Sequence, residues 1–324
     1  MYKRLLLFLS FPYLICAITG GNTVQSSTQY PFAVTFTNPT LCGGSIISLD
    51  PPWVLTAAHC VPKDDTNSKE IVSFGSHEFD SFTSNGIKKV IQHPLYISAD
   101  VQSKTGVFKV DELNSVPYDI ALVELKDPFM PSAYVNRIRL LVENEDVHLE
   151  GILETTGMGY TGLGETHAKL LQYAQCNSSN VIALTDDNFN NSVTLATSTA
   201  GLCHGDSGSP LIYKPDATSP EYYLKGILNR IQNAFDPEPE NKSCPVHTDR
   251  TSTFVNIFVR PSKHIDWIMG VTGLSWEELT DTATNSQNRN TLSKSSVSSS
   301  AQGTYFNNGI ISIFFLPLSI LLIM

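Results

Sequence analysis

Trp53-Val54-Leu55-Thr56-Ala57-Ala58-His59-Cys60 sets a histidine and a cysteine at the end of an apolar run, with Cys42-Gly43-Gly44-Ser45 upstream. Two more stretches stand out downstream. Tyr118-Asp119-Ile120-Ala121-Leu122 places one carboxylate at the start of an otherwise apolar segment, and Cys203-His204-Gly205-Asp206-Ser207-Gly208-Ser209-Pro210 holds a serine between glycines. Taken singly, each has a plain structural explanation: a packed histidine, a turn aspartate, a Gly-Ser loop. Together, in the order His, Asp, Ser, they supply a base, an orienting carboxylate and a nucleophile, the set that hydrolytic chemistry needs.

Around these stretches, from residue 18 to about 272, short apolar runs alternate with turn residues. Phe32-Ala33-Val34-Thr35-Phe36, Gly44-Ser45-Ile46-Ile47-Ser48, Ile71-Val72-Ser73-Phe74 and Ile120-Ala121-Leu122-Val123-Glu124-Leu125 are typical. Many short strands with frequent turns predict an all-β barrel or sandwich. One helix is expected near the end, where Ile265, Ile268 and Met269 share a face after Pro261 and Ser262. No internal repeat recurs at a fixed period.

The chain has 324 residues, 41% hydrophobic and 16% charged, which excludes a disordered chain and allows one large or two ordinary domains. Its 31 acidic and 21 basic side chains give a net charge of −10, and the longest basic run is Lys88-Lys89. A nucleic-acid partner is therefore not expected. None of the 6 cysteines falls in a C-x-x-C pair, so zinc-ribbon and thioredoxin-like sites are excluded.

The two ends point to a compartment. Residues 1–17 run from Lys3 and Arg4 through the apolar stretch Leu5 to Cys16 to the small Ala17, the layout of a secretory signal peptide. Asn177, Asn190 and Asn241 stand in N-x-S/T triplets, the acceptors of N-glycosylation on an extracellular route. At the other end, small residues at 298–301, an uncharged spacer from Gln302 to Gly309 and the apolar tail Ile310 to Met324 have the order of a GPI-anchor signal, with attachment expected at Ser299. A membrane-spanning helix is disfavoured because the tail is short, contains Pro317 and has no basic residue after Lys294. Residues 273–299, rich in Ser, Thr and Asn towards their end, are expected to be a stalk, and residues 300–324 to be removed. These features predict the extracellular face of the plasma membrane through a lipid anchor, or release from the cell.

Across residues 18 to about 270, the Thr-Ala-Ala-His-Cys, Asp-Ile-Ala-Leu and Gly-Asp-Ser-Gly-Ser-Pro motifs make the chain resemble the chymotrypsin-fold serine proteases. The resemblance implies two antiparallel six-stranded β-barrels with the active site between them, a short C-terminal helix and no cofactor or metal. It also implies protein or peptide substrates, with protein protease inhibitors as further partners. His59, Asp119 and Ser207 would form the triad. The backbone N–H groups of Gly205 and Ser207 would form an oxyanion hole, each such donor being worth ~3–4 kcal/mol. Asp206 would pair with a free α-amino group. Here Ile18-Thr19-Gly20-Gly21 follows Ala17 with no Lys or Arg before it, so signal peptidase itself would liberate Ile18 and no activating protease would be needed. The resemblance pairs Cys42 with Cys60 and Cys203 with Cys244, each bridge stabilising by ~2–5 kcal/mol. The usual family partner of Cys176, expected shortly before Cys203, is missing, which leaves Cys176 buried, free or intermolecularly paired, with burial the expectation.

Substrate preference follows from departures. Gly201 stands at the expected pocket base, so the acid that would select Lys or Arg is absent. Asn229-Arg230-Ile231 replaces the family's Ser-Trp-Gly and is followed by an insertion up to Cys244. A large Ile231 at the pocket mouth, with Ser252 on the opposite wall, would shorten the pocket and favour small or medium apolar residues. Asn229 raises an alternative, a weak or silent protease homologue serving as a surface binding protein, because the replaced serine helps to orient the catalytic aspartate. A surface adhesin would explain the anchor but not the motifs. Gly157-Met158-Gly159-Tyr160-Thr161-Gly162 satisfies G-x-G-x-x-G, but without alternating strands and helices it is no dinucleotide site. His77, His93, His148, His167, His204, His247 and His264 show no metal-ligand spacing, and packing or surface roles are expected for them.

Overall fold

The computed structural model describes residues 18, 21–37, 41–61, 71–97, 118–142, 151–160, 166–176, 181–186, 192–197, 201–233 and 254–280. All of them lie in the unit Met1–Asn285. The expected signal peptide, Cys244, Ser252, the three N-x-S/T asparagines, Ser299 and the anchor signal lie outside the described residues.

Fifteen strands are described: β1 Asn22–Thr23, β2 Ala33–Phe36, β3 Cys42–Ser48, β4 Trp53–Thr56, β5 Ile71–Phe74, β6 Thr83–Gln92, β7 Ala121–Leu125, β8 Arg139–Leu140, β9 Ile152–Gly157, β10 Gln172–Cys176, β11 Val181–Asp186, β12 Ser192–Thr197, β13 Pro210–Lys214, β14 Tyr223–Asn233 and β15 Phe254–Val259. Strands β2-β3-β4-β7-β6-β5 close into a barrel. Its filling comes from the apolar runs seen in the sequence: Phe36, Ile46, Leu55, Leu122 and Leu125 are buried. Burying each such side chain is worth ~1.5–3 kcal/mol.

The second expected barrel is present as a nine-stranded sheet in the order β1-β10-β9-β13-β14-β15-β12-β11, with β8 beside β14. This sheet does not close among the described residues. At the start of β10, β1 pairs along it, with Asn22 opposite Tyr173 and Thr23 opposite Gln172.

The expected helix forms in two steps, a 3-10 turn over Pro261–His264 and then α1 over Ile265–Thr272. Ile265 and Ile268 are buried and Met269 is half-buried. The folded chain continues past residue 272, where the stalk was expected to begin. A second short helix, α2 over Trp276–Leu279, is started by a capping box: Glu278 N donates to Ser275 Oγ, and Ser275 N donates to Glu278 Oε2. It buries Leu279 and packs on β3 and β8, and Arg137 Nη1 donates to the Glu278 carbonyl.

Candidate active site

The pairing of Thr56 with Ala121 brings the end of β4 and the start of β7 together at one end of the closed barrel. His59 follows β4 in a 3-10 turn over Ala58–Cys60, and Asp119 precedes β7, so strand register alone places them side by side. Both oxygens of Asp119 are used: Oδ1 accepts from His59 N at 2.8 Å, and Oδ2 meets His59 Nδ1 at 2.6 Å. A carboxylate only accepts, so Nδ1 carries the ring proton and Nε2 is left as the basic nitrogen. Burial would lower the imidazole pKa, but the hydrogen bond and charge of Asp119 lift it above histidine's ordinary value. Asp119 is 2% exposed, whereas 35% of the His59 side chain remains open to solvent.

Asn229 answers the question raised by its identity. Its Nδ2 donates to Asp119 Oδ2 at 2.6 Å in a buried setting, so an amide supplies the donor expected from a serine hydroxyl. Asp119 thus accepts three hydrogen bonds, from His59 N, His59 Nδ1 and Asn229 Nδ2.

Strand β14 also holds the turn that carries Ser207. Gly208 N donates to Leu228 O, and Leu228 N donates to Ser209 O, both at 2.8 Å. Gly43 N donates to Ser207 O at 2.7 Å, tying the turn to the residue beside Cys42. Gly208, at φ +80°, lies so close to the closed barrel that a Cβ there would meet Gly43 O at 2.3 Å, Thr56 Oγ1 at 2.4 Å and Ala57 N at 3.3 Å. This close approach brings the serine turn against the segment leading into His59. Ser207 Oγ makes no hydrogen bond to His59 among the described residues, and His59 Nε2 lies 3.8 Å from Cys60 Sγ. Such bonds are often long without substrate. The N–H groups of Gly205, at φ +89°, and Ser207 donate to no acceptor among the described residues. Two unpaired donors two residues apart in one turn are what an oxyanion site requires.

Ile18 is fully buried in a cluster with Leu202, Leu211, Leu228 and Phe258. Asp206 is equally buried, its oxygens accepting from Gly159 N at 2.7 Å and Cys203 N at 2.9 Å, and burial pushes its carboxyl up to about 7. The two glycines set aside as a false dinucleotide motif make room for it. A Cβ on Gly157 would meet Asp206 Oδ1 at 2.0 Å, and one on Gly159 would meet Cγ at 2.7 Å.

Cys42 and Cys60 form a disulfide that braces the His59 turn. Cys203 is also disulfide-bonded, while its expected partner Cys244 lies outside the described residues. Cys176 ends β10 opposite Leu153, and its side chain is outside the description. The sulfurs of Cys42 and Cys60 lie within 4.8 Å of a His59 nitrogen, but the disulfide leaves no thiolate to bind a metal.

At the expected specificity pocket, Gly201 is buried and Ile231 packs half-buried against the cluster that contains Leu202. Ser252 is outside the described residues, and the register sets Asn256 opposite Ile231. Asn256 is buried, and its Oδ1 accepts from Leu202 N at 3.5 Å. Sequence reasoning missed it, although a lone amide among Val255, Ile257 and Phe258 was a visible signal.

Two barrel-type sheets sharing a His-Asp pair and a tight serine turn define a chymotrypsin-like fold. The family described as trypsin matches residues 18–246, and the chain belongs to this family of serine endopeptidases. A trypsin of Simulium vittatum is 32% identical over 179 residues, covering 52% of this chain and 65% of that protein. A trypsin of Phaedon cochleariae is 27% identical over 263 residues, 78% of this chain and 86% of that one. Phenoloxidase-activating factor 3 of Holotrichia diomphalia is 28% identical over 254 residues, and the match spans 62% of its length. Among solved structures, neuropsin, a serine protease from mouse brain, superposes with a TM-score of 0.55 at 20% identity, over 78% of this chain and 98% of that one.

Proposed function

We propose that the protein is a serine endopeptidase whose triad is His59, Asp119 and Ser207. Ser207 Oγ attacks a peptide carbonyl carbon while His59 Nε2 takes its proton. The same nitrogen then protonates the leaving amine as the C–N bond breaks, leaving an acyl ester on Ser207. Water, deprotonated by Nε2, releases the acid and restores the serine. The Gly205 and Ser207 N–H groups hold the oxyanion. The observation that carries this reading is the buried Asp119, which fixes the His59 tautomer with Nε2 free.

Gly201 at the pocket base, with Ile231 and Asn256 as the cross-strand pair beside it, supports cleavage after small or medium apolar residues. We propose further that cleavage before Ile18 frees an α-amino group that pairs with Asp206. Secretion and a lipid anchor to the outer cell surface are the proposed setting. A peptide-library profile tests the specificity: enrichment of Ala, Val or Leu before the scissile bond is expected, and enrichment of Arg or Lys overturns it. A profile identical in Ser207→Ala would overturn the triad itself.

A further inference from the structure

We propose that Tyr118 is a positioning residue for the reaction, held by His93 and His264 in the backbone conformation that aims Asp119 at His59. The inference rests on the triad proposed above. Tyr118 is the described non-glycine residue with positive φ, at 64°, and it directly precedes Asp119. Left-handed backbone is rare for an aromatic residue and persists only where the surroundings hold it. Ile120 N donates to Tyr118 O at 2.7 Å, a three-residue turn closed over Asp119. The carboxylate therefore sits at the apex of a tight bend, and its aim depends on the residue on either side.

Both sides are gripped by His93, which follows β6. Its backbone N donates to Ile120 O at 3.0 Å, and its ring stacks on Tyr118 with centroids 4.8 Å apart and planes 11° from parallel. His264, at the start of α1, sets its ring edge-on to both, 4.9 Å from His93 and 5.4 Å from Tyr118. Trp267 also packs edge-on to His93, with centroids 4.8 Å apart. Leu95 N donates to His93 Nδ1, whereas His264 Nε2 is buried without a hydrogen-bond partner. Burial lowers the pKa of both histidines, that of His264 to about 4, so the pair stays neutral near pH 7 and the rings pack without like-charge repulsion. If Tyr118 relaxed to negative φ, the peptide plane before Asp119 would rotate and the carboxylate would leave its three donors.

The test separates the ring from the backbone angle. Tyr118→Phe keeps the ring, whereas Tyr118→Gly accepts positive φ without strain but removes the ring. Rates are divided by the sites titrated to completion with a fluorophosphonate, so a misfolded fraction drops out. For Tyr118→Phe, kcat within about twofold of wild type is expected. For Tyr118→Gly, a loss of roughly ten- to a hundredfold in kcat is expected, with KM nearly unchanged, as for a misplaced reacting group. The acid limb of kcat/KM should also move to lower pH, because His59 loses the partner that raises its pKa. Wild-type kcat and an unmoved acid limb in Tyr118→Gly overturn the proposal. Should that variant give no labelled sites, His264→Leu is read in the same way: a shifted limb supports the clamp and an unmoved limb overturns it. Wild-type protein that shows no Ser207-dependent labelling marks failure of the triad reading instead.

Discussion

Consider a chain that keeps several residues ahead of Ile18, compared with one that begins at Ile18, both carrying Ser207→Ala to prevent self-digestion. In the extended chain Asp206 is fully buried with two backbone donors, and its carboxyl is pushed from 3.8 up to about 7. Between those values the folded state holds a proton that the unfolded state has released. The stability of the extended chain therefore falls as pH rises through this window, and the loss is complete above the folded pKa. Three pH units correspond to about 4 kcal/mol, a large part of the ~5–15 kcal/mol that keeps a domain folded. In the chain that begins at Ile18, the proposed α-amino partner offsets that loss. His59 and His264 titrate in both chains, so their contributions cancel in the difference. Urea unfolding at pH 4.5 and pH 8 measures it. The stability gap between the two chains should widen by several kcal/mol at the higher pH, and parallel pH profiles would refute the ion pair.

Three further outcomes follow from the same geometry. Asn229→Ala removes a donor to a charged acceptor, worth ~1.5–3 kcal/mol, so kcat/KM should fall by about ten- to a hundredfold; Asn229→Asp, which sets a second carboxylate against Asp119, should be worse, and steady-state kinetics compare the two. Gly208→Ala forces a Cβ against Gly43 O and Thr56 Oγ1, and at φ +80° it should lower stability by ~3 kcal/mol in urea unfolding. Because Asp119 raises the His59 pKa, and the base must be neutral, the acid limb of kcat/KM should lie above about pH 6.5 and fall below it in Asp119→Asn.

What could be read from the chain, and what could not, follows from how far apart the parts lie. His59, Asp119 and Ser207 each sit in a contiguous motif, so the local pattern reveals them. The strands of the first barrel were legible in runs such as Phe32–Phe36 and Ile120–Leu125, but their closure was not, because such runs fit a barrel or a sandwich alike and only the family resemblance implied the barrel. Asn256 was visible as a lone amide in an apolar run, but its place opposite Ile231 was not legible, because residues 234–253 separate β14 from β15 and only the strand register pairs the two. The grip on Tyr118 was hidden for a similar reason: His93, Tyr118 and His264 come from separate elements, and each histidine alone has an ordinary packing role. Gly157 and Gly159 show the converse case. A spacing that matches a nucleotide motif here reflects the room that a buried Asp206 needs.

The most direct test of the central claim is fluorophosphonate labelling of the purified chain beside its Ser207→Ala variant, with turnover of a peptide ending in a small apolar residue measured on the same samples. One label per wild-type chain at Ser207 is expected, with none in Ser207→Ala and a loss of several orders of magnitude in turnover. An unlabelled but folded wild type, or a variant that turns over as fast as wild type, would contradict the account.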